Sequence, residues 1–404
     1  LKIRRIEKIV SKGFIERFKF KRAMNKNILI HLSLIETIGP GAVSRIICVL
    51  KDNHADKEID LHEIYDYTES EFVERFGLSR TSARKAVAGL ADKKMLESEL
   101  AYIKKYDIHI LNFLDPDYPE LLKHIHMPPI ILYCKGEKLS VNAKRIAFVG
   151  PRKSGRYAQT VIDSLLPPLI ENDWEIVSGG AIGVDTMAHK KTVDCGGKTI
   201  VVLGSGLLKP YPKRNKELFR KVLQNGGTLV SPFPLQAEPL PGHFPARNRI
   251  IAGLSQGSVV VQAAQKSGAL ITAQFALDEG RQVFAVPGDV HDELSAGCHK
   301  LIQTGAKLVS NANDILEEFG EEVPVILNEG DDKNTTFSSR VVSSESEKLY
   351  RGTTGLMSFL QTPTSIDDLS VRANKGHAEL LDELFNLQLE GRVKQNFAGL
   401  WELV

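Results

Sequence analysis

The chain has 404 residues, 42% apolar and 25% charged, the proportions of a soluble globular protein with room for two or three domains. Its four cysteines, Cys48, Cys134, Cys195 and Cys298, are widely spaced and form no C-x-x-C pair, so neither a disulfide framework nor a thiolate metal site is suggested. No apolar run is long enough to span a bilayer, and the cysteine usage suits a reducing compartment, so a cytoplasmic protein with no membrane association is expected.

The formal net charge of +2 misleads. Residues 1–22 hold nine Lys or Arg and two Glu. Setting them aside takes 52 basic residues to 43 and 50 acidic to 48, a net of −5. Any polyanion site must then be a local patch. Residues 1–26 read as a basic N-terminal extension, with Met24 the natural start, because a long apolar segment and a small-residue cleavage site are missing.

Residues 27–110 read as a small helical domain. Apolar positions recur at helical spacing up to Ile38, then Gly39-Pro40-Gly41 interrupts, then a second helical pattern follows. This is the shape of a helix-hairpin-helix, whose turn amides meet DNA phosphates, and equally of a plain helical bundle with a tight turn. Glu71–Val87 gives a weaker repeat of the pattern, and the polar stretch between them is a loop.

From 111 to 319 strand and helix patterns alternate. Pro-rich turns at 115–119 lead to a short strand at Ile130–Tyr133, expected at a sheet edge. Strands follow at Ile146–Val149, Glu175–Val177, Thr199–Leu203, Thr228–Val230, Ser258–Val261 and Gln282–Val286. Helices are predicted between them at Ala158–Glu171, Val184–Val193, Asn215–Gln224, Asn248–Leu254 and Leu270–Glu279. The alternation predicts an α/β fold, a Rossmann-like doubly wound parallel sheet whose ligands bind beyond the carboxyl ends of the strands. The acidic, Ser-rich stretch 320–347 reads as a linker. Residues 348–404 predict a C-terminal winged helix with wing strands near Val393 and Leu400–Val404. Its second helix, about His377–Glu390, carries four acidic residues and no Lys or Arg, which argues against major-groove docking.

The chemistry lies in the loops. GPRKSGR after the first parallel strand offers Arg152, Lys153 and Arg156 at a helix start, a good anion site. Ser178-Gly179-Gly180 forms a second Gly-rich turn, yet neither G-x-x-x-x-G-K-[ST] nor G-x-G-x-x-G occurs, so no nucleotide cofactor is expected. Arg247, Asn248 and Arg249 open a helix where the dipole and forked guanidinium groups suit phosphate, and Lys213 and Arg214 sit in an equivalent loop. Tyr211, Phe233 and Phe244 lie in the same loops and are positioned to stack on bases. Asp185 and His189, at i and i+4, have the spacing of a metal or acid–base pair, but a helix-start Asp with a packed His is the commoner meaning. No nucleophile, catalytic pair or metal site stands out.

At these residues the sequence resembles the bacterial DNA-processing protein A (DprA, or Smf) family. The resemblance covers nearly all of residues 27–404 and is densest from Asp115 to Leu316. It rests on Gly150-Pro151-Arg152, Ser178-Gly179-Gly180, Gly183–His189, Leu203–Leu207 with Tyr211-Pro212, and Phe244-Pro245-x-Arg247-Asn248-Arg249 followed by Ile251–Ser255. Ser267-Gly268, Gly280-Arg281 and Val286-Pro287-Gly288 extend it. The resemblance implies a helical N-terminal domain, an extended Rossmann core and a winged-helix tail. It implies a non-enzymatic, dimeric protein that binds single-stranded DNA and loads RecA during natural transformation. It carries DNA contacts onto Arg152, the Lys213/Arg214 loop and Arg247, with Arg249 beside them. The sequence departs from the family at Pro151, Leu208, Gln262 and His299; two of these replace acids, which on this reading makes the groove more positive. The alternative is a nucleotide-binding or nucleoside-monophosphate hydrolase-like enzyme. Gln262–Ala273 lacks the Gly-rich loop and the acid that such enzymes carry.

Overall fold

Within the strand Arg145–Val149 (RIAFV), the run Ile146–Val149 is apolar without alternation, a pattern stable as a strand only when both faces are covered. In the computed structural model all five residues of the strand are buried. Residues 22–52 and 61–321 are described, and toward the C-terminus residues 360, 364, 366–373, 375–376, 380, 383–384, 387–388, 392–395 and 401–403. Residues 1–21 of the expected extension over 1–26, the polar loop at 53–60, most of the linker and most of the second winged-helix segment lie outside the described residues, while 22–26 of that extension are helical and continuous with the domain that follows. The chain divides into two compact units, 1–325 and 326–404.

The first unit is built on one sheet. Its strands are β1 (His109–Asn112), β2 (Ile131–Gly136), β3 (Arg145–Val149), β4 (Glu175–Ser178), β5 (Thr199–Val202), β6 (Thr228–Ser231), β7 (Gly257–Val260), β8 (Gln282–Ala285) and β9 (Lys307–Leu308), in the order β1-β2-β6-β5-β4-β3-β7-β8-β9. From β6 to β9 every pairing is parallel, while β2 runs antiparallel to β6 and β1 to β2. The sheet is the doubly wound one expected, and the lead-in strand adds to its edge beside β6. Two strands escaped the sequence pattern: β1, whose four residues (HILN) mix polar and apolar types, and β9, which has only two residues; the helices Glu120–Lys123, Ala296–Gln303 and Asn313–Leu316 were not expected either.

Helix α7 (Arg156–Glu171) follows β3, after α1 (Arg22–Leu34), α2 (Pro40–Asp52), α3 (Glu69–Glu74), α4 (Arg80–Ala91), α5 (Lys93–Lys105) and α6 (Glu120–Lys123). It buries Ala158, Val161, Ile162, Leu165, Leu166 and Leu169, an i, i+3, i+4, i+7 stripe. Full burial of a side chain such as Leu165 stabilises the fold by roughly 1.5–3 kcal/mol. The stripe packs with Phe148 and Trp174 on one face of the sheet. On the other face a continuous core runs from Leu29 and Leu32 of α1 through Leu132 to Val201 and Ile251. Pro40 opens α2 at a position where its missing N–H is not needed, and the N–H groups of Ala42 and Val43 both donate to the Gly39 carbonyl. The Gly-Pro-Gly segment is therefore a tight turn between two helices, as the pattern predicts.

The remaining helices of this unit are α8 (Val184–Asp194), α9 (Lys216–Gln224), α10 (His243–Leu254), α11 (Gly268–Asp278), α12 (Ala296–Gln303) and α13 (Asn313–Leu316). Helix α10 differs from expectation: it begins at His243, not Asn248. Pro245 suggested a loop, but a proline is tolerated in the first turn, where backbone N–H groups have no intrahelical partner. Arg247 therefore lies past the first turn, inside the protein. The direction of strand order reverses between β3 and β7, the two neighbours at which ligands usually enter such sheets.

In the second unit α14 (Ile366–Ala373) is followed by an antiparallel wing, β10 (Val393–Gln395) with β11 (Trp401–Leu403). Leu360, Leu369, Leu380, Leu384, Leu387, Val393 and Trp401 form its core.

Candidate nucleic-acid interface

Strands β4 and β5 end at Ser178 and Val202, and their carboxyl ends meet the guanidinium of Arg247. Nη1 of Arg247 donates to the carbonyl of Gly179 and, at 2.5 Å, to that of Val202. The side chain is only 5% exposed, and its Nε is buried without a hydrogen-bond partner. Burial lowers its pKa to about 10, with Arg152 adding to the effect and Asp185 opposing it, so it stays charged at neutral pH. A buried cation with unsatisfied donor capacity is costly, and it attracts an anion.

The loop after β4 is shaped around this group. A Cβ at Gly179 would lie 1.9 Å from Nη1 of Arg247. Asp185, at the start of α8, accepts from the backbone N–H groups of Gly179 (3.2 Å) and Ala181 (3.1 Å). Burial pushes its carboxyl above the usual range, against the pull of Arg247 and these donors. Gly183 has φ +91°, and a Cβ there would meet the Pro151 carbonyl at 2.3 Å, so glycine is required where this loop passes under the next. The amide of Asn215 donates to the Gly180 carbonyl at 2.9 Å and to Thr186 Oγ1 at 2.7 Å. That bond ties the turn bearing Lys213 and Arg214 to the loop after β4.

Above Arg247 opens a pocket of about 250 Å³. Arg152, Lys153, Gly179, Ile182, Tyr211 and Phe244 line it with Arg247. The Tyr211 and Phe244 rings are 5.9 Å apart, and the Arg152 guanidinium lies 5.5 Å from the Phe244 centroid. The pocket thus has a cationic floor, an aromatic wall and a cationic rim, the combination that suits a phosphate and a stacked base.

Of the residues expected at the site, Arg152, Lys153, Gly179 and Arg247 line the pocket. Lys213 and Arg214 are exposed beside it. Ser178 is buried and its hydroxyl is spent on the Phe148 carbonyl at 2.7 Å. Asn248 and Arg249 do not line the pocket. Helical geometry turns Arg249 about 200° from Arg247, toward Tyr118 and Glu279, where burial lowers its pKa. Phe233 stacks on His243 at 3.9 Å instead of lining the pocket. Ile182, an apolar loop residue, carries no signal of its own in sequence; Asn215 belongs to the Lys213/Arg214 loop by sequence, but its buried tie to the Gly180 carbonyl is visible only in the structure.

His189 is a packed core residue. Thr199 Oγ1 donates to the Ile176 carbonyl, so His189 Nδ1 carries the proton and donates to Thr199 Oγ1 at 2.8 Å. Burial, then Arg247, holds its pKa down to about 3. Among the described residues no cluster of three or more His, Cys, Asp or Glu could hold a metal ion, and no helix is long and apolar enough to cross a membrane. The departures lie off the pocket. Leu208 packs on the core, Gln262 bonds Asp292 at 3.2 Å, and His299 meets the Gly288 carbonyl at 3.1 Å. Pro151 contributes only its carbonyl, which accepts from Val184. None of the four lines the pocket.

The model of the DNA recombination-mediator protein A family matches residues 109–320. The DNA processing protein DprA of Streptococcus pneumoniae is 45% identical over 208 residues, 52% of this chain and 73% of that protein. The Bacillus subtilis protein of the same name is 41% identical over 223 residues, 55% of this chain and 75% of its own length. The X-ray structure of DprA from Streptococcus pneumoniae superposes with a TM-score of 0.62 at 34% identity, covering 72% of this chain and 97% of that one. The matched span takes in the whole sheet and every loop of the pocket, and on these grounds the chain belongs to the DNA recombination-mediator protein A family.

Proposed function

We propose that this chain is a single-stranded DNA-binding recombination mediator that protects incoming strands and loads RecA onto them during natural transformation. The observation that carries the reading is Arg247: a buried charged guanidinium, anchored through one nitrogen and with Nε unpartnered, beneath a pocket walled by Tyr211 and Phe244. It would take a phosphate, while Arg152, Lys153, Lys213 and Arg214 neutralise the flanking ones. The aromatic wall would stack a base of any identity, which favours binding without sequence preference. The protein acts in the cytoplasm, without a cofactor, as a homodimer through its Rossmann-like core, and does not turn over substrate. Its working parts are a helical domain over 27–110, the core over 111–319, a linker over 320–347 and the winged helix over 348–404.

The test is fluorescence anisotropy with a labelled twenty-nucleotide oligothymidylate at rising salt. Affinity should fall linearly in log–log form, with a slope of about −0.7 per phosphate contacted. Arg152→Ala with Lys213→Ala should weaken binding to all sequences alike; unchanged affinity at low salt would refute the interface. RecA filament formation with and without the protein tests the loading step, and release of free base from nucleoside monophosphates would overturn the non-enzymatic reading.

A further inference from the structure

Some cations remote from the carboxyl edge of the sheet are held in ion pairs: Lys144 with Glu321, Lys191 with Asp163, Arg220 with Glu217, Lys307 with Glu318. Along the edge several unpaired cations gather on adjacent loops. Lys209 pairs with Glu238, but among the described residues Arg152, Lys153, Arg156, Lys213, Arg214 and Lys266 are exposed with no carboxylate in ion-pair range. Four of these flank the pocket. The other two, Arg156 and Lys266, do not line it, and they mark the place where the strand order reverses.

Three observations bring them together. Strands β3 and β7 are parallel neighbours in register, Val149 beside Val260, so the loops that follow them emerge side by side. Arg156 opens α7 directly after the first loop, and Lys266 stands just before α11 in the second. Tyr157, next to Arg156, donates its hydroxyl to the Pro287 carbonyl beyond β8, so the first turn of α7 reaches across the end of β7. The Tyr157 side chain is 42% exposed even so. An exposed, tethered ring next to one unpaired cation, with a second on the neighbouring loop, repeats, one strand further along, the aromatic-plus-cation chemistry of the pocket.

We infer that the carboxyl edge carries a second single-strand subsite, formed by Arg156, Tyr157 and Lys266 over the β3–β7 reversal and contiguous with the Arg247 pocket. The inference rests on the pocket being a DNA site. From β5 to β7 is three strand intervals, roughly 14 Å at about 4.8 Å each. A stacked strand at about 3.4 Å per charge presents about four phosphates over that length. The path stops at β8, because the loop after it carries Asp289, Asp292 and Glu293. These carboxylates would repel a polyanion and give the track a defined end.

The experiment compares a two-nucleotide oligothymidylate, too short to reach from the pocket to the second subsite, with a twenty-nucleotide one on two double variants of the full chain. Arg156→Ala/Lys266→Ala should leave the short strand's affinity unchanged. It should weaken the long strand several-fold and reduce its log–log salt slope by about 1.4, at about 0.7 per cation. Arg152→Ala/Lys213→Ala should weaken both lengths. If the second variant weakens both lengths and the first changes neither the affinity nor the slope of the long strand, the subsite is refuted and the pocket stands. If the second variant changes neither length, the pocket reading itself falls, and the subsite with it. Tyr157→Ala supplies an independent arm: it should weaken the long strand alone at unchanged slope, and equal weakening of both lengths would contradict the assignment.

Discussion

Replacing Gly179 with alanine tests the geometry on which the site depends. The backbone there can accept an L residue, so the effect is one of space. The new methyl group would sit 1.9 Å from Nη1, 2.4 Å from Cζ and 2.7 Å from Nη2 of Arg247. Real contacts are never that close, and the guanidinium must move. It cannot swing out freely, because Nη1 is held by the Gly179 and Val202 carbonyls. Overpacking a tight interior costs about 1–3 kcal/mol, and losing a hydrogen bond to a charged group about 1.5–3 kcal/mol. Gly179→Ala should therefore destabilise the protein by roughly 2.5–6 kcal/mol, read from urea unfolding. It should also lose strand affinity in proportion to the displacement of Arg247. The decisive comparison is a double-mutant cycle with Arg247→Met, whose slimmer side chain makes room for the methyl group. The two substitutions should couple by about 0.5–3 kcal/mol in the favourable direction, restoring stability without restoring DNA binding. Additive destabilisation, or a Gly179→Ala protein with wild-type stability and affinity, would refute the reasoning.

Other outcomes follow from the same site. Asn215→Ala should cost about 1–3 kcal/mol, because it strips the Gly180 carbonyl and Thr186 of their donor, and should loosen the Lys213/Arg214 turn enough to weaken strand binding in a protein that is still folded. Phe244→Ala should lose about 1–3 kcal/mol of binding with an unchanged salt slope, as removal of a stacking ring does, whereas Arg152→Ala should lower the slope by about 0.7. His189 has a folded pKa of about 3 against an ordinary value of 6.5, so the unfolded chain binds more protons between those values. Its contribution is fully present above pH 6.5 and is lost as pH falls toward 3, by roughly 4–5 kcal/mol at about 1.36 kcal/mol per unit. Asp185, raised by burial, works with the opposite sign: it favours the fold below its unfolded pKa and that gain is lost as pH rises through its folded one. The measurable quantity is the difference between wild type and His189→Gln, whose stability should depend less steeply on pH between 6.5 and 3; identical slopes would contradict a buried neutral imidazole. Truncation at Glu321 should leave single-strand binding intact in an anisotropy titration.

Sequence alone determined the class of fold and the chemistry of its edge. Strands such as RIAFV and TIVV are buried on both faces, and the unalternating apolar runs IAFV and IVV within them say so before any coordinates exist. Glycine and cation placement after β3 and β4 marked the loops that line the pocket, because a close approach to a guanidinium needs glycine and leaves it in the sequence. Tertiary structure alone decided which arginine does what. Arg247 and Arg249 look equivalent two residues apart, yet helical geometry sends one into the pocket floor and the other toward Tyr118 and Glu279. The start of α10 at His243 was hidden by Pro245, whose local preference for a loop is overridden in a first helical turn. The tie from Asn215 to the Gly180 carbonyl joins residues 35 apart in the chain, and no periodicity records such a bond. The burial of Arg247 is likewise a property of packing: it arises only when the ends of two strands and a helix close around one charge.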